Sequence, residues 1–467
     1  AAAAAAAATF ADDDFVFGTS TAAAQIETAA AHTWRGVRSR DGSESYRTAD
    51  HERRRAEDAR LCALLGRGYR LSLDWSRLQR APLAAFDADV VREYTQLLRE
   101  LHRRGCTYVL LVLHHFCEPL WFAESAEGGW EDTTGTCRAW FADYTRRVVH
   151  HFGALVANWN TFNEPNVYLL NSYVSGEWPP HKLLRLGAAH RVLHNMAAAH
   201  RDAAAIIKRA HPSALVGISL NTVQFVAESA LTAWLVRLCD RWFNEVVADA
   251  FEPAADYQGI SYYATMRCAP LPLTWIDTPD ELARRGVERV DDMWEYDPNG
   301  MRRHIERLHA RYNKPFIVTE SGISTRRCDN RVRCINDYLA VLADLRARGV
   351  RVLAYFHWST MDNYEWTLGN EQRFGLVHVD NTGATPTYER ALKRSGLYYA
   401  HVVRRRTTAF DFAPVWRAAL REAAASADGR TITAPDGETV RIRINDDDRV
   451  ELDDATRAAD ANALDRK

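Results

Sequence analysis

Two glutamates stand directly behind short apolar runs. Thr161-Phe162-Asn163-Glu164-Pro165 closes one run, and Val318-Thr319-Glu320-Ser321-Gly322 closes another. Two carboxyl groups facing each other across a cleft are what cleavage of a glycosidic bond needs. One is protonated and donates to the leaving oxygen; the other is ionised and attacks the anomeric carbon. Their surroundings must hold the two pKa values apart. Arg70, near the end of another run, is placed to keep one carboxylate ionised, and Tyr263, ending a further run, can hydrogen-bond the same group. Singly, each residue has an ordinary reading as a helix cap, a structural ion pair or a core aromatic. Two carboxylates at equivalent ends of separate runs outweigh it. If the pair works by double displacement, the carboxyl groups should lie about 5–5.5 Å apart.

The elements that must position these groups are legible as a repeated alternation. Apolar, β-prone runs fall at 15–20, 69–75, 108–114, 156–163, 215–220, 257–263, 315–320 and 352–358. Near-continuous apolar strands belong to a sheet buried on both faces. Between them lie amphipathic segments. Val90, Val91, Tyr94, Leu97, Leu98 and Leu101 recur at helical spacing over 90–103, and 138–152, 186–211 and 335–348 read similarly. Gly105 and Gly349 stand where a helix needs a left-handed residue to end. Strand and helix alternating eight times predict a closed (β/α)8 barrel, an α/β fold whose catalytic groups sit at the C-terminal strand ends. A doubly wound open sheet shares the same periodicity and remains the alternative at this level.

Residues 1–8 are all alanine and are left out of the fold argument. Residues 9–405 are read as one catalytic barrel. Residues 406–467 are read as a C-terminal extension with a helix over 414–425, a hairpin over 431–444 about Pro435-Asp436-Gly437, and an acidic, alanine-rich end.

Composition excludes several classes. The 59 basic and 61 acidic residues leave a net charge of −2, so no basic field exists to hold a nucleic acid. Arg53–Arg55 read as a solvated helix face and Arg404–Arg406 as a helix end. The eight cysteines are scattered without any C-x-x-C, so no zinc or redox spacing appears and no metal or organic cofactor is expected. They read as free, mostly buried thiols, with a Cys328–Cys334 pair left open. No apolar run is long enough to span a bilayer and no secretory leader is visible, so no membrane partner and a cytoplasmic location are expected. With 14 Trp, 18 Tyr and 17 Phe, aromatic faces for stacking on a sugar are plentiful.

Taken in order, the motifs closely resemble glycoside hydrolase family one, the family of the β-glucosidases, from about residue 15 to 403. Phe17-Gly18-Thr19-Ser20 with Gln25-Ile26-Glu27 is similar to the opening strand and its sugar-binding glutamine. Tyr69-Arg70 with Trp75-Ser76-Arg77 is similar to the second-strand motif, and His114-His115-Phe116 to the third. Thr161–Pro165 matches the acid/base motif, and Thr319-Glu320-Ser321-Gly322 resembles the nucleophile motif. His357-Trp358 with Glu365-Trp366, then Arg373-Phe374-Gly375, resembles the last strand and its sugar loop.

The resemblance implies Glu164 as acid/base and Glu320 as nucleophile, with Arg70 and Tyr263 orienting and ionising Glu320. It implies Gln25, Glu365 and Trp366 on the outer hydroxyls of the sugar, and His115 and Asn163 nearer the reacting carbon. Trp358 would form the floor under the ring and Phe374 the pocket wall. The sequence departs from the family at Thr28, Phe116, Ser261 and Ser321, and by short segments at 78–87 and 244–256. These departures fall on the aglycone side and near Tyr263. Glu164 argues against the thioglucosidases, which carry Gln there; Glu365 and Phe374 argue against the 6-phospho-glycosidases.

The implied function is a retaining, exo-acting β-glycosidase acting on a small β-glycoside or oligosaccharide. An endo-glycanase of the same clan and a non-catalytic sugar-binding protein on a degenerate barrel are the alternatives. Glycone, aglycone, transglycosylation and oligomeric state are not set by the sequence.

Overall fold

The computed structural model describes residues 8–414 apart from 269–283 and positions 12, 29, 46, 47, 228, 287 and 384, together with strand backbone within 430–452. The expected helix over 414–425 lies almost wholly outside the described residues.

Eight parallel strands close in sequence order into a barrel, which settles the choice against an open sheet. They are β1 (Val16–Ser20), β2 (Gly68–Ser72), β3 (Tyr108–His114), β4 (Asn158–Asn163), β5 (Val216–Ala227), β6 (Tyr257–Cys268), β7 (Phe316–Ser321) and β8 (Val352–Trp358). The outer helices are α1 (His51–Leu65), α2 (Ala88–Arg103), α3 (Thr136–Phe152), α4 (Leu186–Ala210), α5 (Ala233–Asp240), α6 (Pro298–Tyr312), α7 (Cys328–Ala347) and α8 (Arg394–Arg405). Local chemistry sets their ends. Asp87 caps α2 by accepting from the backbone N–H of Asp89 and Val90. Gly105 and Gly349 follow α2 and α7 with φ of 85° and 87°, the left-handed geometry the sequence called for.

The two largest apolar clusters lie between strands and helices. Leu97, Leu98, Leu101, Val109, Leu111 and Trp159 pack between strands and helices on one side, and Ile335, Leu339, Leu342, Val318 and Val352 on the other. Inside the barrel, Val16, Leu110, Tyr257, Ile317, Ala354 and Phe356 form a separate plug. The plug fills the barrel beneath the catalytic end, so polar side chains above it stand on a packed floor.

Two strands differ from expectation in length. Strands β5 and β6 run past the apolar runs that marked them, from 220 to Ala227 and from 263 to Cys268, pairing Gln224 with Thr265 and on to Ala227 with Cys268. These extensions mix polar residues (Asn221, Thr222, Gln224, Thr265, Arg267) with apolar ones, which hid them from a search for continuous apolar runs. All eight cysteines are free, Cys328 and Cys334 included.

Beyond β8, β9 (Val377–Val379) and β10 (Arg390–Lys393) form a small antiparallel sheet with β11 (Arg430–Thr433), β12 (Thr439–Ile444) and β13 (Arg449–Leu452), in the order β11-β12-β13-β10-β9. Arg430 pairs with Ile442 through Thr433 with Thr439, so β11 and β12 are antiparallel neighbours; the expected turn at Pro435-Asp436-Gly437 lies outside the described residues. No described helix is long and apolar enough to cross a membrane.

Candidate active site

Strict alternation would put Glu320 in the wrong place. Ile317 faces the barrel interior, and a residue three further along a regular strand points to the other face. The register of β7 shifts between Val318 and Glu320, with one extra residue against β6. The bulge turns the Glu320 carboxyl inward. Strand β4 carries the same device: its register against β5 shifts between Asn160 and Asn163, one residue before Glu164. Glu164 itself has φ of 41°, a left-handed conformation at the strand-to-helix corner. Both carboxyls thus reach one cavity of about 380 Å³ at the C-terminal end of the barrel.

Arg70 is the hub. It stands in the middle of β2 rather than near its end, fully buried, and reaches up through the barrel. Its Nη1 donates to Glu320 Oε1 at 2.5 Å and to Ser20 at 3.0 Å; its Nη2 donates to Asn163 Oδ1 at 2.5 Å and to Ser219 at 2.9 Å. The second Glu320 oxygen accepts from the Tyr263 hydroxyl at 2.7 Å. With its Oδ1 engaged by Arg70, Asn163 donates through Nδ2 to His115 Nε2 at 3.0 Å. Burial, then the Arg70 charge, pushes the His115 pKa well down, so the ring is neutral with its proton on Nδ1.

The two carboxyls have unlike surroundings. Burial raises both. At Glu320 the Arg70 guanidinium and the Tyr263 hydroxyl oppose that rise. At Glu164 burial is reinforced by the negative charge of Glu320, and the pKa is pushed up to about 8. Near neutral pH this favours a proton on Glu164 and a charge on Glu320.

On the far side of the cavity, Gln25 Nε2 donates to Glu365 Oε2 at 3.1 Å and to the Tyr364 carbonyl at 2.7 Å. Burial, then the charge of Glu320, pushes Glu365 up to about 8. Trp358, Phe374 and Tyr263 belong to one apolar cluster. Trp366 packs on Trp34 and Phe116 with ring centroids 4.7 and 5.3 Å away. All of the singled-out residues except Asn163 and Arg70 line the cavity, and those two hydrogen-bond to lining residues, Arg70 to Glu320 and Asn163 to His115.

The lining residues that escaped the sequence analysis include two that touch residues it singled out. Asn221 donates to Glu164 Oε1 at 3.1 Å. It follows the fifth apolar run by one residue, so a search for polar groups at strand ends had the signal within reach. Trp294 packs on Tyr263 and Phe374 with centroids 5.6 and 6.3 Å away. It lies in a loop without periodicity, and nothing in the sequence marks it. Among the described residues no three His, Cys, Asp or Glu side chains converge as metal ligands.

The sequence profile described as Glycosyl hydrolase family 1 matches residues 7–244 and 240–408. The chain belongs to glycosyl hydrolase family 1. Among its relatives, it is 31% identical over 338 residues to Galactolipid galactosyltransferase SFR2, chloroplastic, of Arabidopsis thaliana, covering 67% of this chain and 51% of that protein. The chain therefore spans about half the length of that relative. It is 25% identical over 449 residues to Beta-glucosidase A of Thermotoga maritima, covering 84% of this chain and 97% of that one. The solved β-glycosidase from Pyrococcus horikoshii superposes with a TM-score of 0.75 at 29% identity, over 86% of this chain and 96% of that one. Family and barrel both stand as the motifs implied.

Proposed function

We propose that this family 1 protein is a retaining, exo-acting β-glycosidase. The observation that carries the proposal is the contrast between Glu320, held by Arg70 and Tyr263, and Glu164, which faces Asn221 and the charge of Glu320. In the first step the Glu320 oxygen forms a bond to the anomeric carbon while the bond to the leaving oxygen breaks. Glu164 gives its proton to that oxygen. In the second step Glu164 takes a proton from water, the water oxygen bonds to the anomeric carbon, and the Glu320 ester breaks. Two inversions return the β configuration. Gln25, Glu365 and Trp366 would hold the outer hydroxyls, His115 and Asn163 those nearer the reacting carbon, and Trp358 and Phe374 the ring.

The second step accepts any hydroxyl that reaches the glycosyl ester. The identity with a galactosyltransferase supports a second reading, transfer of the glycosyl group to a sugar acceptor instead of water.

The test is nitrophenol release from a panel of aryl β-glycosides, with products analysed in the presence of added sugar acceptors. Wild type should turn over at least one sugar, and Glu320→Ala should lose about 10⁴-fold or more in kcat. Products carrying the added acceptor would favour transfer. No turnover of any sugar by wild type, or an equally active Glu320→Ala, would end the proposal.

A further inference from the structure

Away from the cavity, the first turns of α4 carry His190-Arg191-Val192-Leu193-His194. Val192 and Leu193 are buried in the core and anchor the helix, while His190 and His194 stand exposed on its outer side. Residues four apart on a helix are neighbours, one turn above the other. Here the two rings lean together. Their centroids are 4.4 Å apart and their Nε2 atoms 3.1 Å apart. Among the described residues neither ring has a further hydrogen-bond or ion-pair partner.

Two ring nitrogens aimed at one point are a ligand set. A neutral imidazole binds a transition metal through its free nitrogen at about 2.0–2.1 Å. An ion at that distance from both Nε2 atoms, with the atoms 3.1 Å apart, makes a nitrogen–metal–nitrogen angle of about 95–102°. That angle falls between the right angle of octahedral or square-planar sites and the tetrahedral value of about 109°, so the rings chelate without rearrangement. The other use of the contact, one ring donating to the other, gains little on a surface where water serves both nitrogens as well. Two histidines at this spacing are also how a helix presents a pair of imidazoles to one zinc ion. Imidazole suits Zn²⁺, Ni²⁺ and Cu²⁺, whereas Mg²⁺ and Ca²⁺ take oxygen ligands. The neighbouring cation is already balanced: Arg191 lies 3.5 Å from Glu131, which also pairs with Lys182.

We propose that His190 and His194 form a two-histidine site on the outside of the barrel for a divalent transition-metal ion of the zinc, nickel and copper group, with water filling the rest of its coordination. Neither residue lines the cavity, so the site stands apart from the carboxyl pair and supplies no step of its chemistry. What the ion braces is a corner of the fold. A link across one turn resists fraying of α4 at its N-terminal end. There Leu184 N–H donates to the Val174 carbonyl at 3.0 Å, and Arg185 N–H to the Tyr173 carbonyl at 2.7 Å. The segment tied down in this way, 173–178, carries Ser175 and Trp178 into the cavity wall.

The test titrates Ni²⁺ and Zn²⁺, with Mg²⁺ as the oxygen-seeking control, into the full chain without an affinity tag, by calorimetry at pH 8. One site per chain is expected for Ni²⁺ and Zn²⁺, and none for Mg²⁺. His190→Gln and His194→Gln should each weaken that site about tenfold or more, because a lone imidazole loses the second bond that closes within the molecule. The double variant should bind nearly as weakly as either single one, since a chelate needs both rings. Both positions are exposed, so the variants should fold and keep the wild-type kcat/KM for an aryl glycoside. Amide hydrogen exchange over 186–194 should slow with Ni²⁺ in wild type and not in the variants. Single variants that bind like wild type overturn the site, as does a wild type that takes up neither ion below about 1 mM. Single variants that merely halve the number of ions bound would show two separate histidines and overturn the chelate. Equal binding of Mg²⁺ overturns the assigned class of ion.

Discussion

Glu164 serves the first step only with its proton on, and Glu320 only with its proton off. On the proposed mechanism kcat/KM therefore falls as pH rises through about 8, the value to which burial and Glu320 push Glu164. It falls at the acid end as Glu320 protonates, at a pH above the ordinary carboxylate range because burial raises that group too. Asn221 gives this profile a test at one residue. Its amide donates to the Glu164 carboxyl and so favours the charged form. In Asn221→Ala that preference is gone, and the alkaline limb should move up. A hydrogen bond worth ~1 kcal/mol corresponds to about 0.7 pH unit. The measurement is a kcat/KM profile for an aryl glycoside across pH 5 to pH 10. A limb that stays put or moves down would mean that another group sets it.

At the level of elements, the sequence was read through burial, and it was legible where burial dictated it. The eight apolar runs lie on the eight barrel strands, because a sheet covered on both faces tolerates little else. The partners of Glu320 were legible because Arg70 and Tyr263 are rare residue types for such runs. The bulges in β4 and β7 were not, because a bulge changes register without changing composition, yet they decide which way the carboxyls point. The extended ends of β5 and β6 were missed because polar residues such as Asn221, Thr222, Gln224 and Arg267 interrupt their apolar ones. One tie between elements deserves measurement for stability. Arg390 on β10 donates to both oxygens of Asp58 on α1, at 2.8 and 2.9 Å, with both side chains buried. Burial alone would raise the Asp58 pKa; Arg390 and His51 more than offset it and hold it at about 2. A depressed folded pKa adds stability above the unfolded value of about 3.9 and loses it as pH falls toward 2. Asp58→Asn should cost about 3–5 kcal/mol, because it leaves a buried guanidinium uncompensated. Denaturant unfolding at pH 7 checks it, and a change under 1 kcal/mol would show that water reaches Arg390 in the folded state.

At the scale of the whole molecule, the barrel is closed by its own ends and the last sheet hangs from one edge. Phe10 N–H donates to the Arg406 carbonyl at 2.8 Å, and Thr408 N–H to the Ala8 carbonyl at 2.8 Å, so the chain is tied off by residue 408. Among the described residues, β11 and β12 reach the rest only through β13, which pairs with β10 over Ala391 to Lys393. No described residue after 408 lines the cavity. We expect a chain ending at residue 414 to fold and to keep its kcat/KM for an aryl glycoside within about threefold, since three ladder pairs at ~0.2–1 kcal/mol each are a small share of a large domain's stability. Its melting temperature should drop by a few degrees. The cost should show elsewhere: removing β13 bares the hydrogen-bonding edge of β10, and an open edge invites pairing between copies. Light scattering of the shortened chain against concentration reads that directly. Self-association with activity intact would assign the extension to covering an edge. A shortened chain that self-associates no more than the full chain but loses turnover would instead make the extension part of what holds the catalytic end in shape, and the boundary drawn at residue 405 would have to move.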